Sequence, residues 1–270
     1  MISLVRILKE VSSSRHPKPK AIILAGAPGA GKGYILRGLD LGGLKVLNVD
    51  DIYVPMLKKS NITLDLKRAS PEERSGQAVA MAAANKEFKG NVASTIESKE
   101  SFILDGTGAS YNQTSKLKEI LEEAGYVVFM LYVYTDLERS LAQNQDRYEK
   151  SDGRDRSLAP AIVMNTWKDV TKNFEAYLNL FGYNFVSVAN TLENQEVGNL
   201  EDIIDKYLIP FKPEGTKPKS PKQQKRSDDR KAKDAEEIKS MLNDDFIENV
   251  VRSSMSKDEA QMRLKDFLRA

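Results

Sequence analysis

The chain has 270 residues, 41 Lys or Arg against 39 Asp or Glu, a formal net charge of +2, one histidine and no cysteine. The absence of cysteine excludes a disulfide frame, a thiolate metal site and a thiol nucleophile, and the one histidine, His16, sits in the polar, proline-flanked stretch SSSRHPKPK, which argues against His-based catalysis. No run approaches the roughly 20 apolar residues of a membrane span, and the opening MISLVRILKEV is too short and too charged for a signal peptide, so a cytoplasmic protein without membrane contact is expected.

Ile2, Val5, Leu8 and Val11 fall at helical spacing, so residues 1–19 read as a short amphipathic helix and a linker. The helix is expected to pack on the main domain, with docking on a partner as the alternative. The stretch AIILAGAPGAGKGYIL, residues 21–36, organises the rest of the chain. Ala21 to Ala25 read as a buried strand, Gly26 to Gly33 spell GAPGAGKG, and a helix begins near Tyr34. A strand, a glycine-rich turn and a helix are the setting of a phosphate-binding loop. Glycines at 26, 29 and 31 let backbone N–H groups converge. The helix adds its unpaired N–H groups and its positive dipole end, and Lys32 brings a full charge to the β- and γ-phosphates. Gly26, Ala27, Pro28, Gly29, Ala30, Gly31, Lys32, Gly33 and Tyr34 are the expected nucleotide contacts. Gly33 stands where a Ser or Thr hydroxyl usually ligands Mg²⁺, so the metal must be held through water or by another residue.

Lys45 to Val49 read as a second strand ending in Asp50-Asp51. Carboxyl ends of parallel strands line the ligand crevice. An acid there can accept the proton of an attacking hydroxyl, or it can cap the helix that starts near Ile52. Asp50 is taken as the base and Asp51 as a substrate contact. Residues 60–98 read as mostly helical, with a start at Ser70-Pro71-Glu72-Glu73, and are expected to cover the acceptor site. SFILDGTG, residues 101–108, reads as a third strand ending in Asp105, a Walker-B-type acid for Mg²⁺ or its water. Thr107 is placed to touch metal-bound water or substrate.

Tyr111 to Ala124 read as a helix stopped by Gly125, and Tyr126 to Tyr134 as a central strand buried on both faces. Leu137 to Tyr148 read as a helix carrying Arg139 and Arg147. SDGRDRSLAP, residues 151–160, then breaks the pattern with Arg154 and Arg156. A mobile, arginine-bearing loop between two helices suits a phosphoryl-transfer lid, with Arg147, Arg154 and Arg156 reaching the transferred charge. A helix over 161–181, a fifth strand over 184–188 and a helix over 199–208 complete residues 20–209. The class is α/β: a parallel sheet of about five strands with helices on both faces, in a P-loop NTPase fold.

Residues 210–233 hold four prolines and nine Lys or Arg against three Asp or Glu, a net +6, which leaves the rest of the chain near −4. They read as a flexible basic linker able to make weak, salt-sensitive contact with nucleic acid. Residues 234–270 return to a helical pattern, with a capping box at Ser256-Lys257-Asp258-Glu259 and an apolar side of Leu264, Phe267 and Leu268. This helical C-terminal tail is too small for a core of its own. It must dock on the main domain, self-associate or bind a partner; a separate element recruiting a protein partner is the favoured expectation.

GAPGAGKG and FILDG resemble adenylate kinases, whose loop also carries Gly after the lysine, although DGTGAS continues differently here. The ordered set of phosphate loop, VDDIY, DGTG, GYVVFMLYVYTDLERSLAQNQDR and SDGRDRSLAP resembles the zeta-toxin and polynucleotide-kinase-like branch of P-loop kinases over roughly residues 20–190. That resemblance implies an ATP-dependent kinase using Lys32, Asp50, Asp105 with Mg²⁺, and lid arginines. Zeta toxins phosphorylate a nucleotide sugar, so a small nucleotide-type or nucleotide-sugar hydroxyl is the expected acceptor. The alternatives are a 5′-hydroxyl polynucleotide kinase and a nucleotide-binding interaction protein with little catalysis.

Overall fold

The protein is described here by a computed structural model covering residues 18–38, 43–66, 69–152, 155–191, 200–208, 220–243 and 245–269. The expected N-terminal helix, His16, Arg154 and linker residues 210–219 lie outside the described residues. None of the described helices is long and apolar enough to cross a membrane.

The run KAIILA forms β1 (Lys20–Ala25), buried along its whole length. A strand without polar alternation needs cover on both faces, which a parallel sheet flanked by helices supplies. β2 (Lys45–Asn48), β3 (Phe102–Asp105), β4 (Val127–Tyr134) and β5 (Phe185–Ala189) complete a five-stranded parallel sheet of order β2-β3-β1-β4-β5. The chain leaves β1 for the edge strand β2 and returns through β3. The strand order therefore reverses beside β1, and a crevice opens there at the carboxyl ends of the strands. Leu24 and Asn48 are both in register with Asp105, which brings the ends of β1, β2 and β3 to one level.

Local chemistry sets the helices: α1 (Lys32–Gly38), α2 (Asp50–Lys59), α3 (Pro71–Glu97), α4 (Tyr111–Glu123), α5 (Leu137–Lys150) and α6 (Pro160–Lys172). α3 starts in a complete capping box. The Ser70 Oγ accepts from the Glu73 amide (3.2 Å) and the Glu73 carboxylate accepts from the Ser70 amide (2.8 Å). Ser110 caps α4 through the Gln113 amide.

The single helix expected over 161–181 is two helices, α6 and α7 (Phe174–Phe181). Asn173 breaks them, and its side-chain amide donates to the carbonyls of Gly108 (3.3 Å) and Ala109 (3.0 Å) in the loop after β3. α8 (Leu200–Ile203) ends in a π-helical turn, Ile204–Leu208.

The C-terminal part differs most from expectation. Residues 221–233, read as linker, are the first half of α9 (Pro221–Asn243). Ser220-Pro221-Lys222-Gln223 caps that helix: the Ser220 Oγ accepts from the Gln223 amide, and the Gln223 carboxamide accepts from the Ser220 amide. Net charge did not prevent helix formation, because Lys, Arg and Gln are good helix formers. The separateness of the tail is corrected as well. α9, α10 (Asp245–Arg252) and α11 (Lys257–Arg269) bury Ile238, Met241, Ile247, Val250, Ala260, Leu264 and Phe267 in the same core as the sheet. Phe267 packs on Phe129 of β4 at 4.7 Å between ring centroids. Met255 N donates to Ser187 O (2.7 Å) on the edge strand β5, and the Lys168 ammonium bonds Asp234 (2.6 Å) and Glu237 (3.1 Å) of α9. The apolar side of Leu264 and Phe267 thus finds its surface within the chain.

Candidate active site

The crevice at the carboxyl ends of β1, β2 and β3 holds a cavity of about 910 Å³. Its wall includes Pro28 to Gly33 of the glycine-rich loop, Asn48 at the end of β2 and Asp50 beyond it, Asp105 at the end of β3 and Thr107 beyond it, Arg147 of α5 and Arg156 between α5 and α6.

The loop is tethered from behind through its carbonyls. Ser140 Oγ of α5 donates to Pro28 O, and Asn190 Nδ2, just past β5, donates to Ala30 O at 2.8 Å. With its amide oriented to suit both neighbours, Gln143 donates to Gly29 O (2.7 Å) and accepts from Arg139 Nε (2.9 Å). Holding successive carbonyls outward aims the intervening N–H groups at the cavity, which is how a loop becomes an anion nest. The tether requires glycine at two positions. Gly29 and Gly31 have φ of +77° and +81°, and a Cβ would come within 2.3 Å of the Ser140 carbonyl oxygen and of Asn190 Nδ2 respectively.

Lys32 opens α1, and its Nζ turns back to the carbonyls of Gly26 (2.8 Å) and Ala27 (3.4 Å). Its side chain is partly covered, but the ammonium itself is deep in the cleft. Desolvation pushes its pKa below the ordinary lysine value, Arg147 and Arg156 push the same way, and Asp105 and Asp50 oppose them.

Asp50 is the first residue of α2, preceded by Val49 in helical conformation with no side-chain cap. Its carboxylate is therefore not consumed in capping. It receives Arg156 in a fork, Nε to Oδ1 at 3.0 Å and Nη2 to Oδ2 at 2.9 Å, with both side chains under one-fifth exposed. The same guanidinium lies 5.7 Å from the Tyr53 ring centroid. Asp105 ends β3, and its Oδ2 accepts from Asn48 Nδ2 at 2.8 Å. Burial raises the Asp105 pKa first of all; Asp50 adds to the rise, while Lys32, the Asn48 hydrogen bond and Arg147 lower it.

The lid residues that are described are pinned. Leu158 exchanges two hydrogen bonds with the Asn144 side chain, at 2.8 and 2.9 Å. Ser157, fully buried, donates to Asp65 Oδ1 at 3.1 Å, and Arg147 donates to Asp155. In this conformation 155–158 is anchored to α5 and to the segment before α3, because its buried polar groups must find partners.

The cavity thus brings together Lys32, Asp50, Asp105, Thr107, Arg147 and Arg156 with Pro28, Gly29, Ala30, Gly31 and Gly33. Gly26 and Ala27 are buried behind it and contribute carbonyls to Lys32. Two further expected contacts stand apart from its wall. Asp51 is exposed, since the residue after Asp50 in a helix points about 100° away. Tyr34, 60% exposed, sits under the Lys257 ammonium of α11 at 4.6 Å from its ring centroid. Sequence reasoning passed over Asn48, Ser140, Gln143 and Asn190. Asn48 and Asn190 stand at strand carboxyl ends, where the rule that singled out Asp50 and Asp105 would have found them; Ser140 and Gln143 carry no such signal.

A family model described as zeta toxin matches residues 5–197. Among solved structures, the AvrRxo1-ORF1:AvrRxo1-ORF2 complex with sulphate ions is similar at 16% identity, covering 94% of this chain and 82% of that chain, with a TM-score of 0.51. A chain of the PezAT chromosomal toxin–antitoxin system of the human pathogen Streptococcus pneumoniae is similar at 18% identity, covering 87% and 93%, with a TM-score of 0.49. No curated protein matches the chain.

Proposed function

This chain belongs to the zeta-toxin family, and on that premise we propose that it is an ATP-dependent phosphotransferase acting on a hydroxyl of a small nucleotide-type or nucleotide-sugar acceptor. The observation that carries the reading is the convergence, in one cavity, of an outward-tethered glycine loop with its lysine and of an acid held by an arginine fork. The loop N–H groups and Lys32 hold the β- and γ-phosphates. Asp50 accepts the acceptor's proton while its oxygen attacks the γ-phosphorus. The bond from that phosphorus to the ADP oxygen breaks as the new one forms. Arg156 uses two N–H groups on Asp50 and keeps others for the transferred phosphoryl, and Arg147 adds a second cation. Arg154 is assigned to the same lid on sequence grounds alone.

The donor set fits a magnesium ion. Asp105 is a half-buried carboxylate beside a second acid, with Oδ2 held by Asn48, and Mg²⁺ binds through one or two carboxylates plus phosphates and waters. Asp105 would hold it, with Thr107 beside it, in place of the hydroxyl that Gly33 lacks. The ion would shield charge on the phosphates when bound.

A volume of about 910 Å³ is at the upper end for a ligand pocket and leaves room for an acceptor beside the nucleotide. Phe88 and Asn85 of α3, Gln113 of α4 and Thr166 of α6 supply an aromatic face and amide and hydroxyl groups suited to a base or a sugar. Label transfer from γ-labelled ATP to a panel of nucleosides, nucleotide sugars and 5′-hydroxyl oligonucleotides tests this. Transfer to a small acceptor is expected. Nucleotide binding without transfer to any of them would instead make the chain a nucleotide-binding interaction protein.

A further inference from the structure

Asn48 lies between the two acids of the site. Its Nδ2 donates to Asp105 Oδ2 at 2.8 Å, and its Oδ1 accepts from the Asp50 backbone amide at 2.9 Å. β2 is in register with β3 so that Asn48 and Asp105 are direct partners. Both side-chain atoms are thus committed, one to each acid. A carboxamide is planar, with donor and acceptor at fixed separation. We propose that Asn48 is a positioning residue that sets the Asp105 carboxylate and the first turn of α2, and with it the Asp50 carboxylate, at one spacing and orientation.

The chemistry of these bonds has two consequences. The Nδ2 bond engages one oxygen of Asp105, so Asp105 would turn chiefly its other oxygen toward a cation. The Oδ1 bond takes up an N–H at the start of α2, one of those a helix leaves unpaired, and fixes where Asp50 enters the cavity. An aspartate at 48 separates the two arms. It keeps an acceptor for the Asp50 amide, loses the donor to Asp105 and sets a like charge against it. An alanine loses both arms. A residue that only filled space would answer to size, not to this distinction.

The inference rests on the kinase reading above, and the experiment separates the two. Binding of ADP, with and without Mg²⁺, is measured by calorimetry on the full chain for wild type, Asn48→Asp and Asn48→Ala, together with kcat and KM for ATP. Expected for Asn48→Asp is ADP affinity without Mg²⁺ within about threefold of wild type, and a change of tenfold or more in the Mg²⁺ enhancement, as an outer partner of a metal ligand gives. Expected for Asn48→Ala is a kcat lower by roughly tenfold to a hundredfold with KM for ATP little changed, since positioning acts on the reacting geometry. Circular dichroism confirms that each variant is folded, and a variant that is not is replaced by Asn48→Ser, which keeps a small donor and acceptor. A wild-type chain that binds nucleotide, with variants whose Mg²⁺ enhancement and kcat match it, overturns the Asn48 assignment alone. A wild-type chain that binds no nucleotide overturns the kinase reading and this inference together.

Discussion

Removing residues 209–270 should unfold the domain rather than trim it. Ile238, Met241, Ile247, Val250, Leu264 and Phe267 are each 9% exposed or less, in one cluster with β1, β4 and β5. Burying an apolar side chain of this size contributes about 1.5–3 kcal/mol. Six of them contribute roughly 9–18 kcal/mol before the entropy of ordering three helices is subtracted, against a net domain stability of about 5–15 kcal/mol. Truncation also strips Phe129 of its Phe267 partner and Ser187 O of the Met255 amide. Phe267→Ala isolates one contact in the intact chain. A buried Phe→Ala change costs about 3–5 kcal/mol, which at roughly 2–4 °C per kcal/mol for a chain of this size lowers Tm by roughly 6–20 °C. Scanning calorimetry checks both: one cooperative transition in the full chain, a fall of that size in Phe267→Ala, and no native-like transition after truncation. A truncated chain that melts cooperatively within a few degrees of the full one would refute the reasoning.

Lys32→Met should abolish Mg·ATP binding by calorimetry and raise the Tm of the nucleotide-free protein at neutral pH. Burial depresses the Lys32 pKa in the folded state, so folding penalises the charged form below that pKa and the penalty fades as pH rises toward the unfolded value; the Tm gain should shrink at alkaline pH. Asp50→Asn should keep ATP affinity and lower the transfer rate by roughly 10²–10⁴-fold, the usual worth of a general base, while Asp51→Asn leaves the rate nearly unchanged; the reverse result in a steady-state assay would exchange the two roles. Arg156→Lys should lower kcat at least tenfold with little change in ATP affinity, since one ammonium cannot fork to both oxygens of Asp50 and still face a phosphoryl group; an unchanged kcat would remove Arg156 from the chemistry.

The sheet was legible because its strands are runs of apolar residues ending in chemistry. KAIILA before the glycine loop and FILD before Gly106 each run straight into the candidate site, and VVFMLYVY carries burial alone. The docked C-terminal helices were not legible from composition. Ser220-Pro221-Lys222-Gln223 is the same start signal as Ser70-Pro71-Glu72-Glu73, legible as a helix start at 70 and masked at 220 because prolines and charge dominate the stretch. The ring partner of Phe267 is Phe129 of β4, 138 residues earlier in the chain, and no local pattern encodes that pairing. The break at Asn173 was hidden for a related reason: its amide answers carbonyls at 108 and 109, a demand visible only once the loop after β3 is in place.

The placement of the C-terminal helices bears on the site's own energetics. The open end of the sheet gathers two acids, two arginines and a desolvated lysine around a cavity, with the carbonyls of the glycine loop turned away from it. Such an arrangement lacks the apolar burial that stabilises a core, and its charges are aimed at ligands rather than fully neutralised by one another. The compensation lies elsewhere in the fold. α10 and α11 lie against the edge strand β5, Met255 between them donating to Ser187 O, Phe267 of α11 packs on Phe129 of β4, and α9 packs on α6 and α8, which covers an exposed sheet edge. From there Lys257 reaches Tyr34 on the outer side of α1, so the helix that begins with Lys32 is held on a face the cavity does not use. On the proposed reading the glycine loop must keep its N–H groups converged without a ligand to order them. The tethers from Ser140, Gln143 and Asn190 do this from the α5 and β5 side, and the C-terminal helices steady α1 behind the loop.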